Sequence, residues 1–134
     1  CAKKHVASAF EPGDHGSTLG GNPLACAAGL AVMDVMINDN LVKNSEEMGC
    51  YFIDKLSTLA KKYDFVKEVR GKGLMIGIQL SIEKAVEIKN KCFNKGYLIG
   101  SVGNNILRLL PPLIVTKEDI DGVVNMLDNV FQEY

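Results

Sequence analysis

Neither sign of charge dominates this sequence: 15 basic residues stand against 16 acidic ones, a net charge of −1. Without a basic excess there is no electrostatic footprint for nucleic acid or an anionic membrane surface, and neither is expected as a partner. Long hydrophobic runs are missing as well. The most apolar stretch, Leu24 to Ile37, is broken by Gly29 and Asp34 and is too short to cross a bilayer. No signal-peptide pattern opens the chain, so a soluble, cytoplasmic protein is expected. Metal-ligand spacing is lacking too. Cys1, Cys26, Cys50 and Cys92 form no Cys-x-x-Cys pair, and His5 and His15 offer no ligand spacing beside them. No metal is expected. Cys26, set among alanines, and Cys92, on the apolar side of a helical pattern, read instead as small core residues with reduced thiols. Finally, there is no initiator methionine, and the chain is expected to be a fragment of something longer.

What is present suffices for one domain: 134 residues, 47% of them hydrophobic. Asn22 is a candidate N-cap and Pro23 suits a first helical position, so a helix is expected from Pro23, with Val32, Val35 and Met36 as core contacts and a face of small residues from Ala25 to Ala31. The "NDN" at Asn38 to Asn40 interrupts it. Leu41, Met48, Phe52, Leu56, Leu59 and Tyr63 then recur at helical spacing. Phe65–Arg70 and Leu74–Leu80 read as two strands joined by "GKG", although Gly77 weakens the second or marks a close approach. A helix over Ala85, Ile88, Cys92 and Phe93 stops at Gly96. Short strands are expected at Tyr97–Gly100 and Asn105–Leu110. A capping box at Thr116 and Asp119 opens a last helix striped by Ile120, Val123, Val124, Leu127, Val130 and Phe131. The order helix, helix, β-β-α-β-β-α predicts an α+β fold: a small antiparallel sheet with helices packed on one face.

Two places carry candidate chemistry. Gly13 to Pro23, "GDHGSTLGGNP", crowds glycines around Ser17 and Thr18. Successive N–H groups in such turns, with a hydroxyl beside them, can ring an anion such as phosphate. It is neither a Walker sequence nor a Gly-x-Gly-x-x-Gly motif, and a plain flexible loop is an equally open reading. Arg108, in "NNILRLLPPL", alternates onto a face with Ile106 and Leu110. A guanidinium in such company suits a ligand carboxylate, while an ion pair with an internal acid or a snorkelling side chain stays open beside that. Arg70 reads as a surface-turn residue, Lys3 and Lys4 as a solvated pair, His15 as a loop residue, and "KAVEIKNK" as a solvent-facing helix.

Together, "PGDHGSTLGGNPLACAAGLAV", "VKEVRGKGLMIGIQL" and "GNNILRLLPPLIVTKEDID" resemble, in order and over practically the whole chain, the closing part of a class III pyridoxal-phosphate-dependent aminotransferase. Within that class the likeness is to acetylornithine aminotransferases. The resemblance implies that residues 39–134 form the small C-terminal domain of a fold type I enzyme and that 1–38 come from the rim of its large domain. It implies a homodimer in which the glycine-rich loop reaches the partner's cofactor, with Thr18 on the phosphate of pyridoxal 5'-phosphate and Ser17 assisting. The arginine of the family's Asn-x-x-Arg-x-x-Pro-Pro-Leu segment falls on Arg108 and implies a grip on the substrate α-carboxylate. The implied substrates are N-acetylornithine and 2-oxoglutarate, in arginine biosynthesis. The family's Schiff-base lysine precedes glycines, whereas Lys4 precedes His5, so no catalytic residue is expected here and the fragment alone is expected to be inactive. Ornithine, succinylornithine and 4-aminobutyrate aminotransferases are alternatives within the class. A non-catalytic amino-acid-binding regulatory module is the alternative outside it.

Overall fold

The computed structural model describes residues 2–134; Cys1 lies outside the described residues. After a single helical turn, α1 (Lys4–Ala7), and an irregular loop, α2 (Pro23–Asn38) starts where its cap predicts. The Asn22 side chain accepts a hydrogen bond from the Ala25 N–H at 2.9 Å, and Pro23 sits in the first turn, where no N–H is needed. Asn40, in the left-handed region at φ 51°, turns the chain by 62° into α3 (Leu41–Ala60). Among the described residues no single helix is long and apolar enough to cross a membrane.

The remainder builds one sheet and its cover. Strands β1 (Val66–Lys72), β2 (Met75–Leu80), β3 (Gly100–Val102) and β4 (Ile106–Leu109) are ordered β1-β2-β4-β3, every pair antiparallel. Period-two alternation sends Ile76, Ile78, Leu80, Leu107 and Leu109 to one face, each 3% exposed or less. That face is covered by Phe52, Leu56 and Leu59 of α3, by Ala85, Ile88 and Cys92 of α4 (Ala85–Asn94), and by Ile120, Leu127, Val130 and Phe131 of α5 (Lys117–Phe131). The other face stays open. The α+β architecture with helices on one side of an antiparallel sheet is the one the sequence predicts.

Several local signals fix its joints. Gly96, at φ +87°, ends α4: its N–H bonds to the Phe93 carbonyl and that of Tyr97 to the Cys92 carbonyl, both at 2.9 Å, a Schellman stop. Because Tyr97 is tied to the helix end, β3 begins only at Gly100 and the strand expected over Tyr97–Gly100 is displaced. Thr116 and Asp119 close a reciprocal capping box at the start of α5. Gly49 on α3 and Gly73 in the β1–β2 turn touch backbone to backbone: a Cβ at Gly49 would lie 2.3 Å from the Gly73 oxygen. Tyr63, Phe65 and Phe131 stack with centroids 5.3 to 5.6 Å apart at the end of the core.

Two expectations fail in the first forty residues and one more in the sheet. Cys26 is exposed rather than a core residue, and Val32 and Val35 are about half exposed, because α2 packs against α3 but buries no residue. Met36 alone is half-buried. Cys92 is fully buried as expected, and burial pushes its thiol from an ordinary 9.0 up to about 11, which keeps it protonated. Arg70 is not in the turn: β1 continues through Lys72, and Arg70 pairs with Gly77 in the sheet.

Candidate functional site

The glycine-rich loop folds on itself. Gly13 and Gly21 take positive φ, +107° and +75°, which side chains with a Cβ rarely adopt. The Ser17 hydroxyl accepts the Gly20 N–H at 3.0 Å, and the Asn22 amide donates to the Leu19 carbonyl at 2.6 Å, so two turns run directly into the N-terminus of α2. Ser17 therefore shapes the loop. The Thr18 hydroxyl and the N–H groups of Gly16, Ser17 and Thr18 make no hydrogen bond among the described residues, and all are exposed. Asp14, the nearby acid, accepts the Glu11 N–H at 2.7 Å. A hydroxyl and adjacent N–H donors in a glycine-bounded turn are a donor set that fits a phosphate.

Arg108 occupies the third strand of the sheet, not its edge. Its register partners are Gly77 on β2 and Gly100 on β3, and Gly77 pairs in turn with Arg70. Cross-strand partners share a face, so Arg70, Gly77, Arg108 and Gly100 form one row on the open side. Arg108 is exposed and makes no hydrogen bond or ion pair among the described residues, so the ion pair with an internal acid that the sequence left open is not formed there. Arg70 is engaged, its Nη1 2.6 Å from Glu68 Oε2. The only two arginines of the chain thus share a row. Local periodicity could not reveal this, since it depends on the pairing of three strands.

Beside Arg108 a recess of about 420 Å³ is lined by Lys89, Asn90, Phe93, Gly100 and Ser101. A larger one, about 710 Å³, lies between Tyr97–Ile99, the Leu109–Pro112 segment and α5, and is mainly apolar. Asp119 faces it, its carboxyl held below the ordinary range by the Thr116 N–H and hydroxyl, which marks it as a helix cap. Other shifted carboxylates are pinned between helices. Lys55 and then Tyr51 lower Asp121, and Lys62 and then Tyr63 lower Asp128. Glu87 falls to about 2 through Lys84, Tyr134 and Lys91. Each of these pairs braces the fold.

The loop and the arginine row are not joined by any hydrogen bond or ion pair among the described residues. Lys3, Lys4 and His15 are exposed, and His15 lies within the loop itself. The chemistry available is thus two binding elements, an anion-accepting loop and a carboxylate-accepting arginine.

Comparison with known proteins accounts for this pairing. The family model for class III aminotransferases matches residues 1–131. An acetylornithine aminotransferase from Caldanaerobacter subterraneus subsp. tengcongensis is 51% identical over 97% of the chain, which spans 33% of that relative. An ornithine aminotransferase from Brevibacillus brevis is 42% identical over 96% of the chain and 32% of its own length. The crystal structure of acetylornithine aminotransferase from Elizabethkingia anophelis superposes with a TM-score of 0.85 at 34% identity, over 99% of this chain and 36% of that one. The chain thus spans about a third of the length of these relatives. Its sequence and its fold place it in one family: the chain belongs to the class III aminotransferases.

Proposed function

We propose that this chain is the C-terminal part of an acetylornithine aminotransferase, a cytoplasmic homodimer that moves an amino group from N-acetylornithine to 2-oxoglutarate in arginine biosynthesis. The observation that supports the acyl preference is that the two relatives at 51% identity are both acetylornithine aminotransferases, whereas the ornithine aminotransferases stand at 41–42%, level with a further acetylornithine aminotransferase at 41%. Residues 39–134 are read as the small domain and 1–38 as the rim of the large one. An apolar helix with no buried residue is what a segment covered by other parts of a larger enzyme looks like, which supports that division.

Pyridoxal phosphate, when bound, supplies the electron sink for amino-group transfer. This chain's share is binding and orientation. The Thr18 hydroxyl and the neighbouring N–H groups donate to the phosphate, and Ser17 keeps the turn in shape for them. Arg108 takes the substrate α-carboxylate with its planar fork and so fixes which bond at the α-carbon faces the reacting centre. The lysine that would hold the cofactor covalently is not in this sequence, so the chain by itself is inactive in this reading. An ornithine aminotransferase is the second reading, favoured by the 42% relatives. A purely regulatory amino-acid-binding module leaves the glycine-rich loop without a role.

The test is amino-group transfer by the full-length enzyme. N-acetylornithine should be used with a kcat/KM about tenfold or more above that of ornithine; a preference for ornithine overturns the acyl assignment. Thr18→Ala in the same enzyme should weaken cofactor retention about ten- to a hundredfold, the loss of one hydrogen bond to a charged group. Unchanged retention would remove Thr18 from the phosphate grip.

A further inference from the structure

The row that carries Arg108 contains two glycines, and the fold accounts for only one. At Gly100 a Cβ would meet Arg108 Nε at 3.3 Å and the Arg108 carbonyl oxygen at 3.4 Å, so Gly100 is the floor on which the Arg108 side chain lies. At Gly77, on the opposite flank, a Cβ would come no nearer than 3.8 Å to Ile106 and 4.0 Å to the Leu107 carbonyl. Its backbone does not have positive φ either. Neither crowding nor conformation calls for glycine there. A glycine inside a strand flanked on both sides weakens it, and such a residue marks a place where something approaches the backbone closely.

What surrounds Gly77 says what approaches. Because Arg108 leans toward Gly100, its Gly77 side is left uncovered. A side chain at position 77 would start about 5 Å from the Arg108 Cβ, as directly opposite residues do. On the far side of Gly77, Arg70 stands two strand spacings from Arg108, about 10 Å, and is drawn along its own strand to Glu68. The result is a strip one residue wide on the open face, bounded by two guanidinium-bearing strands and, along β2, by the side chains of Met75 and Gln79.

We propose that Gly77 is a specificity-determining residue: it keeps clear the strip beside Arg108 over which the carbon chain of a carboxylate substrate lies while Arg108 holds the carboxylate. The inference rests on the reading of Arg108 as the carboxylate clamp. A methyl at 77 narrows the strip, and an isopropyl group closes it.

The experiment uses the full-length enzyme with Gly77→Ala, Gly77→Val and Arg108→Ala, measuring kcat and KM for N-acetylornithine and 2-oxoglutarate together with thermal melting. Gly77→Val should raise both KM values about tenfold or more, Gly77→Ala less, with kcat changed little and melting retained, since valine suits a strand better than glycine. Unchanged KM in Gly77→Val, with KM raised in Arg108→Ala, overturns the role of Gly77 and leaves the clamp standing. Normal KM in Arg108→Ala overturns the clamp and this inference with it. A fall in melting temperature in both Gly77 variants, with kcat and KM shifting together, assigns Gly77 to packing against the rest of the enzyme and overturns the inference on separate grounds.

Discussion

Residues 2–40 and 41–134 obey the same rules of helix initiation yet end in opposite conditions. In the first region Leu24 is 80% exposed, Phe10 68% and Leu30 67%, and no residue is buried. In the second, Phe52 is 2% exposed and Leu127 fully buried, within one cluster fed by three helices and a sheet. A cap, a proline and a run of alanines suffice to wind α2. They do not supply a second layer, and apolar side chains are protected only where two layers meet. An apolar surface of this size marks a segment made to be covered.

The contrast can be broken most directly by truncating one large side chain in each region. Phe52→Ala should cost about 3–5 kcal/mol of folding stability in urea unfolding, while Leu24→Ala should stay within about 0.5 kcal/mol. Comparable losses would mean that α2 is packed in solution. A smaller effect comes from the same substitution made at two helical glycines. Gly49→Ala drives a methyl into the Gly73 carbonyl and should destabilise by about 1–3 kcal/mol. Gly29→Ala, with nothing within 4 Å of the new methyl, should stabilise α2 by up to about 1 kcal/mol. Equal signs would erase the distinction between the regions.

The smallest effect is in acid. Glu87, Asp119, Asp121 and Asp128, all in the second region, have carboxyls held below their ordinary range. A depressed folded value contributes stability that is complete above the unfolded value, about 4, and is lost as pH falls through the folded one. For Glu87 that window runs from an ordinary 4.5 down to about 2. Glu87→Gln should therefore flatten part of the acid unfolding profile over that interval, lying slightly below the parent at neutral pH and meeting it at the acid end, a small effect because the group is exposed. An unaltered profile would show that its contacts with Lys84, Tyr134 and Lys91 carry no stability.

Much of the fold was legible beforehand because its signals are local. Asn22 before Pro23, Thr116 three residues before Asp119, and Gly96 after Lys95 act through hydrogen bonds within one helical turn, and each works where the sequence puts it. Reading Val32 and Cys26 as core failed for a different reason: hydrophobicity says that a side chain favours burial, not whether a partner layer exists. Of the candidate site, the residue types at Ser17, Thr18 and Arg108 could be singled out from sequence. That Ser17 is bound back to Gly20 while the Thr18 hydroxyl has no partner among the described residues is decided by the folded loop.

By itself, the sequence determined helices α2 to α5, the caps at Asn22 and Thr116, the stop at Gly96 and the β1–β2 hairpin, because these follow from spacing and from hydrogen bonds between near neighbours. Only the tertiary structure decided that β4 lies beside β2, and hence that Gly77 and Gly100 flank Arg108 with Arg70 in the same row. That register joins segments far apart in the chain, and it is set by how Ile76, Ile78, Leu107 and Leu109 interlock beneath the helices.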